Sequence, residues 1–299
     1  MENLKRQSIL CPNCRKLISL SEPKCPYCGT ARPGSWLKNN LWTRGFNDPY
    51  QLIKAVIAVN VGMYVLSLLL YPTTNSLTLN PLTFLSPSNT SIILLGATGV
   101  VPIDHFQQLL HQMLGTGALS IDRFPRWWTL VSAGYLHGGI LHIFFNMAAL
   151  RQLASLAGRE YGLYRMFIIY TLGGVMGFGV SYLFGVPLTI GASAGVCGLL
   201  GALLYYGKSR GGLYGRAIYK QIGGWVIFLF IFGLLVPGIN NWGHGGGILA
   251  GMALGYLLGY QEKKKENLSH KIIAGSCAAA TLSILAWAVA NAGYYRLLG

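Results

Sequence analysis

Seven apolar stretches, each close to the length of a bilayer-crossing helix, dominate this sequence. They run near 51–71, 138–157, 164–185, 189–207, 221–238, 242–260 and 272–294. A spanning helix needs about 20 mostly apolar residues to cover the hydrocarbon core. Charged residues make up only 10% of the chain, against roughly 25% in a soluble domain. The mean hydropathy of +0.46 points the same way. The expected fold is therefore an all-α polytopic membrane protein, and the 40 glycines suit helices that pack closely in lipid.

A net charge of +15 would suit nucleic-acid binding if it formed a groove, but it is spread along the chain as a topology signal. Eight Lys and Arg, from Lys5 to Arg44, precede the first apolar stretch. Further basic residues cluster in alternate connections: Arg151, Arg159 and Arg165; Lys208, Arg210, Arg216 and Lys220; Lys263, Lys264, Lys265 and Lys271. The opposite side holds only Arg123, Arg126 and Arg296. The positive-inside rule then places the N-terminus in the cytoplasm and the C-terminus outside. No nucleic-acid partner is expected. The first fifty residues are polar and basic, without the apolar core of a signal peptide. With short loops, this points to a bacterial cytoplasmic (inner) membrane.

Residues 1–34 carry Cys11-Pro-Asn-Cys14, ten intervening residues, then Cys25-Pro-Tyr-Cys28. Two C-x-x-C knuckles offer the four thiolates of a tetrahedral zinc site. So small a ribbon has almost no core, and bound metal would supply its folding free energy. Two disulfides or four idle thiols are the alternatives, and a reducing cytoplasm disfavours the first. The ribbon could also dock a cytoplasmic partner. Residues 35–50 read as a linker, and 51–261 as a six-helix membrane domain with a long outer loop over 72–137. A basic loop and a seventh helix fill 262–299. Within the outer loop, 91–99 is apolar but too short to span, which makes it interfacial or buried in protein. Cys197 and Cys277, alone in apolar segments, read as buried structural thiols.

The second, fourth and sixth stretches run inward from the outer face. Ser193 sits about five residues into the fourth, His244 about three into the sixth, and His142 and Asn146 near the start of the second. The last two are spaced i, i+4 and share a helix face. Ionisable groups inside a membrane are rare and usually face a cavity or a partner. Glycines in the fourth stretch (Gly191, Gly195, Gly198, Gly201) and the sixth (Gly247, Gly251, Gly255, Gly259) let two backbones come close enough for a Ser–His hydrogen bond. No Asp or Glu lies between Glu160 and Glu262, so serine chemistry here would run on a dyad. His142, Asn146 and backbone N–H groups could stabilise an oxyanion. A metal site or purely structural hydrogen bonds are the alternatives.

These residues resemble the rhomboid intramembrane serine proteases over roughly residues 50–260. Gly191-Ala192-Ser193 is similar to the family's Gly-x-Ser-Gly motif, and His137, His142 and Asn146 to its His-x4-His-x3-Asn pattern. His244-Gly-Gly-Gly247 with Gly251 resembles its base histidine and glycine ladder, and Glu160-Tyr-Gly another recurrent position. Two positions depart from the pattern: Ala194 stands where the family carries glycine, and Trp128-Thr129 where it carries Trp-Arg. The resemblance implies a six-helix core plus one C-terminal transmembrane helix, with Ser193 as nucleophile and His244 as general base. It assigns the oxyanion hole to His142, Asn146 and the Ser193 backbone. It implies cleavage of transmembrane protein substrates near small residues, with no catalytic cofactor. A non-proteolytic rhomboid-like protein that guides transmembrane helices is the second reading, and a transporter with a histidine proton relay the third.

Overall fold

The computed structural model describes residues 8–11, 16–35, 49–72, 80, 83–99, 126–236 and 238–298. Most of the linker and much of the 72–137 loop lie outside the described residues. Two compact units emerge, 1–55 and 56–299. The described part of the first unit holds an antiparallel pair, β1 (Ser8–Leu10) and β2 (Leu17–Ser19), in the register Ser8↔Ser19, Ile9↔Ile18, Leu10↔Leu17. The period-2 alternation of a strand turns Ile18 inward, where it packs with the buried Cys11 and Cys25.

The rest is helical. Helix α1 (Pro49–Leu70) starts in the first unit and continues into the second. Two short helices follow, α2 (Asn89–Leu94) and α3 (Thr129–Ser132). Then come α4 (Ile140–Tyr161), α5 (Leu163–Leu183), α6 (Ser193–Arg210), α7 (Gly212–Leu235), α8 (Asn241–Leu258) and α9 (Leu268–Leu298). All seven apolar stretches are helices. The 91–99 segment is buried in protein: Ser91, Ile92, Leu94 and Leu95 are inaccessible, and Ser88 caps α2 through a hydrogen bond from the Ser91 N–H.

Among the described residues, five helices are long and apolar enough to cross a membrane: α1, α4, α5, α7 and α9. Helices α6 and α8 have 18 residues each, about 27 Å at 1.5 Å per residue. Their weaker apolar signal has a physical cause. Helix α6 is enclosed by α4, α5, α7 and α8. The buried face of α8 is almost all glycine, Gly243, Gly246, Gly247, Gly251 and Gly255 with Ala250, which packs well and adds little hydropathy. Helix α7 begins nine residues before its apolar stretch, because Gly212–Lys220 is helical although Arg216 and Lys220 make it polar. Helix α9 packs on α5, α3 and α2.

At the end of the bundle away from Ser193, Gly162 takes a φ of 92° between α4 and α5, a conformation glycine adopts without strain. The neighbouring Tyr161 is buried and donates to the Ala202 carbonyl at 2.7 Å. Arg165, which sequence alone counts as a helix-end topology charge, is fully buried. Its guanidinium donates to the carbonyls of Leu258 (3.3 Å) and Gly259 (2.7 Å), satisfying the C-terminal end of α8. Glu266 answers the charge, its carboxylate accepting from the Arg165 backbone N–H at 2.9 Å.

Candidate functional site

Helices α6 and α8 cross backbone to backbone. A Cβ added at Gly251 would fall on the Gly198 carbonyl, one at Gly247 on the Ala194 carbonyl, and one at Gly201 on the Ile248 carbonyl. That closeness brings two side chains into reach of each other. The Oγ of Ser193 lies 2.9 Å from the Nε2 of His244. Both residues are half-buried.

Ser193 is the first residue of α6, with Ala192 as N-cap and no side-chain cap. The apolar stretch begins four residues earlier, but 189–192 is non-helical: Thr189 exchanges backbone hydrogen bonds with Thr98 instead. Ser193 therefore stands among the unsatisfied N–H groups at the positive end of a helix dipole. His244 is the fourth residue of α8 and His142 the third of α4. All three residues lie in the first turn of their helices.

His142 packs against Gly191, two residues before Ser193. Its Nδ1 accepts the Gly138 N–H at 3.1 Å. In a neutral imidazole that assigns the hydrogen to Nε2. Gly191, at φ 124°, makes room for that Nε2: a Cβ there would stand 2.7 Å from it and 3.7 Å from the Ser193 Oγ. The ring thus presents its Nε2–H towards Gly191, at the approach to Ser193. Asn146 is buried and uses one amide hydrogen on the His142 carbonyl at 2.9 Å. His137 is fully buried, edge-on to His142 at 5.0 Å, and its Nε2 is 3.5 Å from the Ala192 N–H. The Gly191 N–H donates to the Ala133 carbonyl at 2.9 Å, tying the 133–137 turn to the approach to Ser193.

The two departures from the rhomboid pattern have local answers. The Ala194 methyl is buried in a cluster with Ala133 and Phe178, and Gly177 opposite leaves it space. The Thr129 hydroxyl donates to the Arg126 carbonyl at 2.7 Å, and its oxygen lies 3.1 Å from the Thr98 hydroxyl oxygen. Arg126 itself reaches the Ile93 carbonyl at 2.9 Å and lies over the Trp128 ring. Cys197 is fully buried against Gly247, in keeping with a structural thiol.

In the N-terminal ribbon, the thiol sulfurs of Cys11, Cys25 and Cys28 lie within 4.8 Å of one another. Cys11 and Cys28 are 3.6 Å apart, well beyond the ~2.05 Å of a disulfide and close to the spacing that ~2.3 Å metal–sulfur bonds impose in a tetrahedron. The fourth cysteine, Cys14, lies outside the described residues. The three placed thiols could hold a metal ion.

Fold and site together define a multi-pass integral membrane protein with a serine and a histidine hydrogen-bonded at the starts of two helices. Residues 125–261 match the family model of the Rhomboid domain, a stretch that includes both Ser193 and His244. Among similar proteins is the Rhomboid protease GluP of Bacillus subtilis (strain 168), 37% identical over 133 residues, 44% of this chain and 26% of that protein. RHOMBOID-like protein 4 of Arabidopsis thaliana is 31% identical over 151 residues, 50% of this chain and 38% of that one. RHOMBOID-like protein 6, mitochondrial, of the same plant is 33% identical over 137 residues, 44% of this chain and 43% of that protein. In each case the match spans less than half of the relative's length.

Proposed function

We propose that the chain is an intramembrane serine endopeptidase that cleaves transmembrane protein substrates with a Ser193–His244 dyad. The observation that carries this reading is the 2.9 Å contact between Ser193 Oγ and His244 Nε2 at a half-buried site. In the proposed reaction, His244 Nε2 takes the Ser193 proton as Oγ attacks the scissile carbonyl carbon. The negative charge that develops on the carbonyl oxygen is met by the His142 Nε2–H, the free amide hydrogen of Asn146 and the N–H groups that open α6. Protonated His244 then gives its proton to the leaving amine, and an acyl ester remains on Ser193. Water, deprotonated by His244, attacks that ester; the acid leaves and Ser193 regains its hydrogen. No step calls for a metal or cofactor. The proposed orientation, N-terminus cytoplasmic and C-terminus outside a bacterial inner membrane, rests on the loop charges.

The test uses full-length protein reconstituted in liposomes with a labelled single-span substrate and, separately, with a fluorophosphonate probe. Wild type is expected to cleave the substrate and to be labelled at Ser193, and Ser193→Ala to do neither. Wild-type protein that binds the substrate yet neither cleaves it nor takes the probe would instead support a helix-guiding role.

For the ribbon, the proposal is a structural zinc ion on Cys11, Cys14, Cys25 and Cys28. Metal analysis of protein purified without chelator is expected to find one zinc per chain, and Cys25→Ser to lower it sharply. Wild-type protein free of metal would overturn this.

A further inference from the structure

We infer that Asn240 is a positioning residue that sets the geometry of the dyad; this rests on the Ser193–His244 reading. Asn240 is the N-cap of α8, four residues before His244. Its Oδ1 accepts the Gly243 N–H at 2.9 Å, and its backbone carbonyl accepts the His244 N–H at 3.1 Å. Its Nδ2 donates one hydrogen to the Ser181 hydroxyl at 2.5 Å and the other to the Thr189 hydroxyl at 2.9 Å. The Gly243 N–H must meet an oxygen, which assigns the orientation of the amide.

The two hydroxyl partners matter for where they sit. Ser181, fully buried, lies at the end of α5. Thr189 is four residues before Ser193 and is held by two backbone hydrogen bonds to Thr98, of 2.7 and 3.2 Å. One side chain thus joins the segment that leads into the nucleophile to the first turn that carries the base. Asparagine suits the position because it combines one acceptor with two donors on a short stem.

The dyad needs such a tie. Among the described residues nothing hydrogen-bonds the Nδ1 of His244, and no Asp or Glu lies between Glu160 and Glu262. A carboxylate in that role would fix the imidazole from behind. Here the ring inherits its place from the backbone of the first turn of α8, and Asn240 anchors that turn to the approach to Ser193. A displacement of about 1 Å between reacting groups can lower a rate by ~10²-fold.

The experiment compares full-length wild type, Asn240→Ala and Asn240→Asp in liposomes, reading kcat, KM and the rate of fluorophosphonate labelling per folded molecule. Asn240→Ala is expected to lower kcat and labelling together by roughly 10–100-fold, with KM within about twofold. Asn240→Asp should recover much of the loss, since it keeps the cap and both hydroxyls can turn to donate. Should Asn240→Ala not fold, the Ser181→Ala/Thr189→Val double variant, which spares the cap, is read by the same criterion. A wild-type labelling rate in the variant, with only its melting temperature lowered, would overturn the inference. Failure of the wild type itself to take the probe would instead remove the dyad reading on which it stands.

Discussion

His244→Ala is expected to slow substrate cleavage by ~10³–10⁴-fold, and adding Ser193→Ala should make it little slower than either single variant. A positioned base contributes typically ~10²–10⁴-fold, and a serine without its base is a poor nucleophile at neutral pH. Because Ser193 and His244 share one 2.9 Å hydrogen bond, they should act as a unit and their losses should not multiply. His142→Ala should behave differently. Removing one oxyanion donor lowers kcat by ~10²–10³-fold while leaving the nucleophile intact. It should therefore lose cleavage but retain much of its substrate affinity. Single-turnover kinetics in liposomes check the whole set. Multiplying losses for Ser193→Ala and His244→Ala would show that the two residues work separately, and the dyad would be wrong.

Much of this site is legible in the sequence because its logic is one of level and direction. Alternating loop charges give the helices an expected orientation, and the rise per residue then places Ser193, His244 and His142 at one expected depth. The glycines of α6 and α8 give those two helices reason to touch. Legibility ends where a backbone leaves its regular path. The apolar stretch beginning at Thr189 hides the fact that α6 starts at Ser193, because Ile190 and Ala192 are as apolar as the helix that follows. Yet that start places Ser193 among unsatisfied N–H groups. Arg165 misleads for the opposite reason. A charge beside a helix end looks like a topology marker, and only the packed bundle shows it buried against the carbonyls that end α8. Asn240 carried a readable signal, an N-cap residue before an apolar run. Its bonds to Ser181 and Thr189, 59 and 51 residues away, did not.

Gly251→Ala, one methyl group two turns along α8 from His244, is expected to lower kcat by ~10²-fold and stability by about 1–3 kcal/mol. The added Cβ would overlap the van der Waals sphere of the Gly198 carbonyl oxygen and stand 2.6 Å from its carbon and 2.8 Å from its Cα. Carbon atoms prefer about 3.5–4.0 Å, and what it meets is helix backbone, with no rotamer to turn aside. Relief requires α6 and α8 to part by about 1 Å. Gly247 and Gly201 make matching contacts on either side, so the parting would extend along the crossing towards the Ser193–His244 bond. Gly251→Leu should leave little folded, active protein. Gly179→Ala is the control: beyond the backbone of its own helix turn no atom lies within 4 Å of its added Cβ, so stability should stay within about 0.5 kcal/mol and activity unchanged. Thermal unfolding in detergent and fluorophosphonate labelling read both effects. A Gly251→Ala protein with wild-type stability and labelling would mean that the close crossing of α6 and α8 is not what sets the distance between serine and histidine.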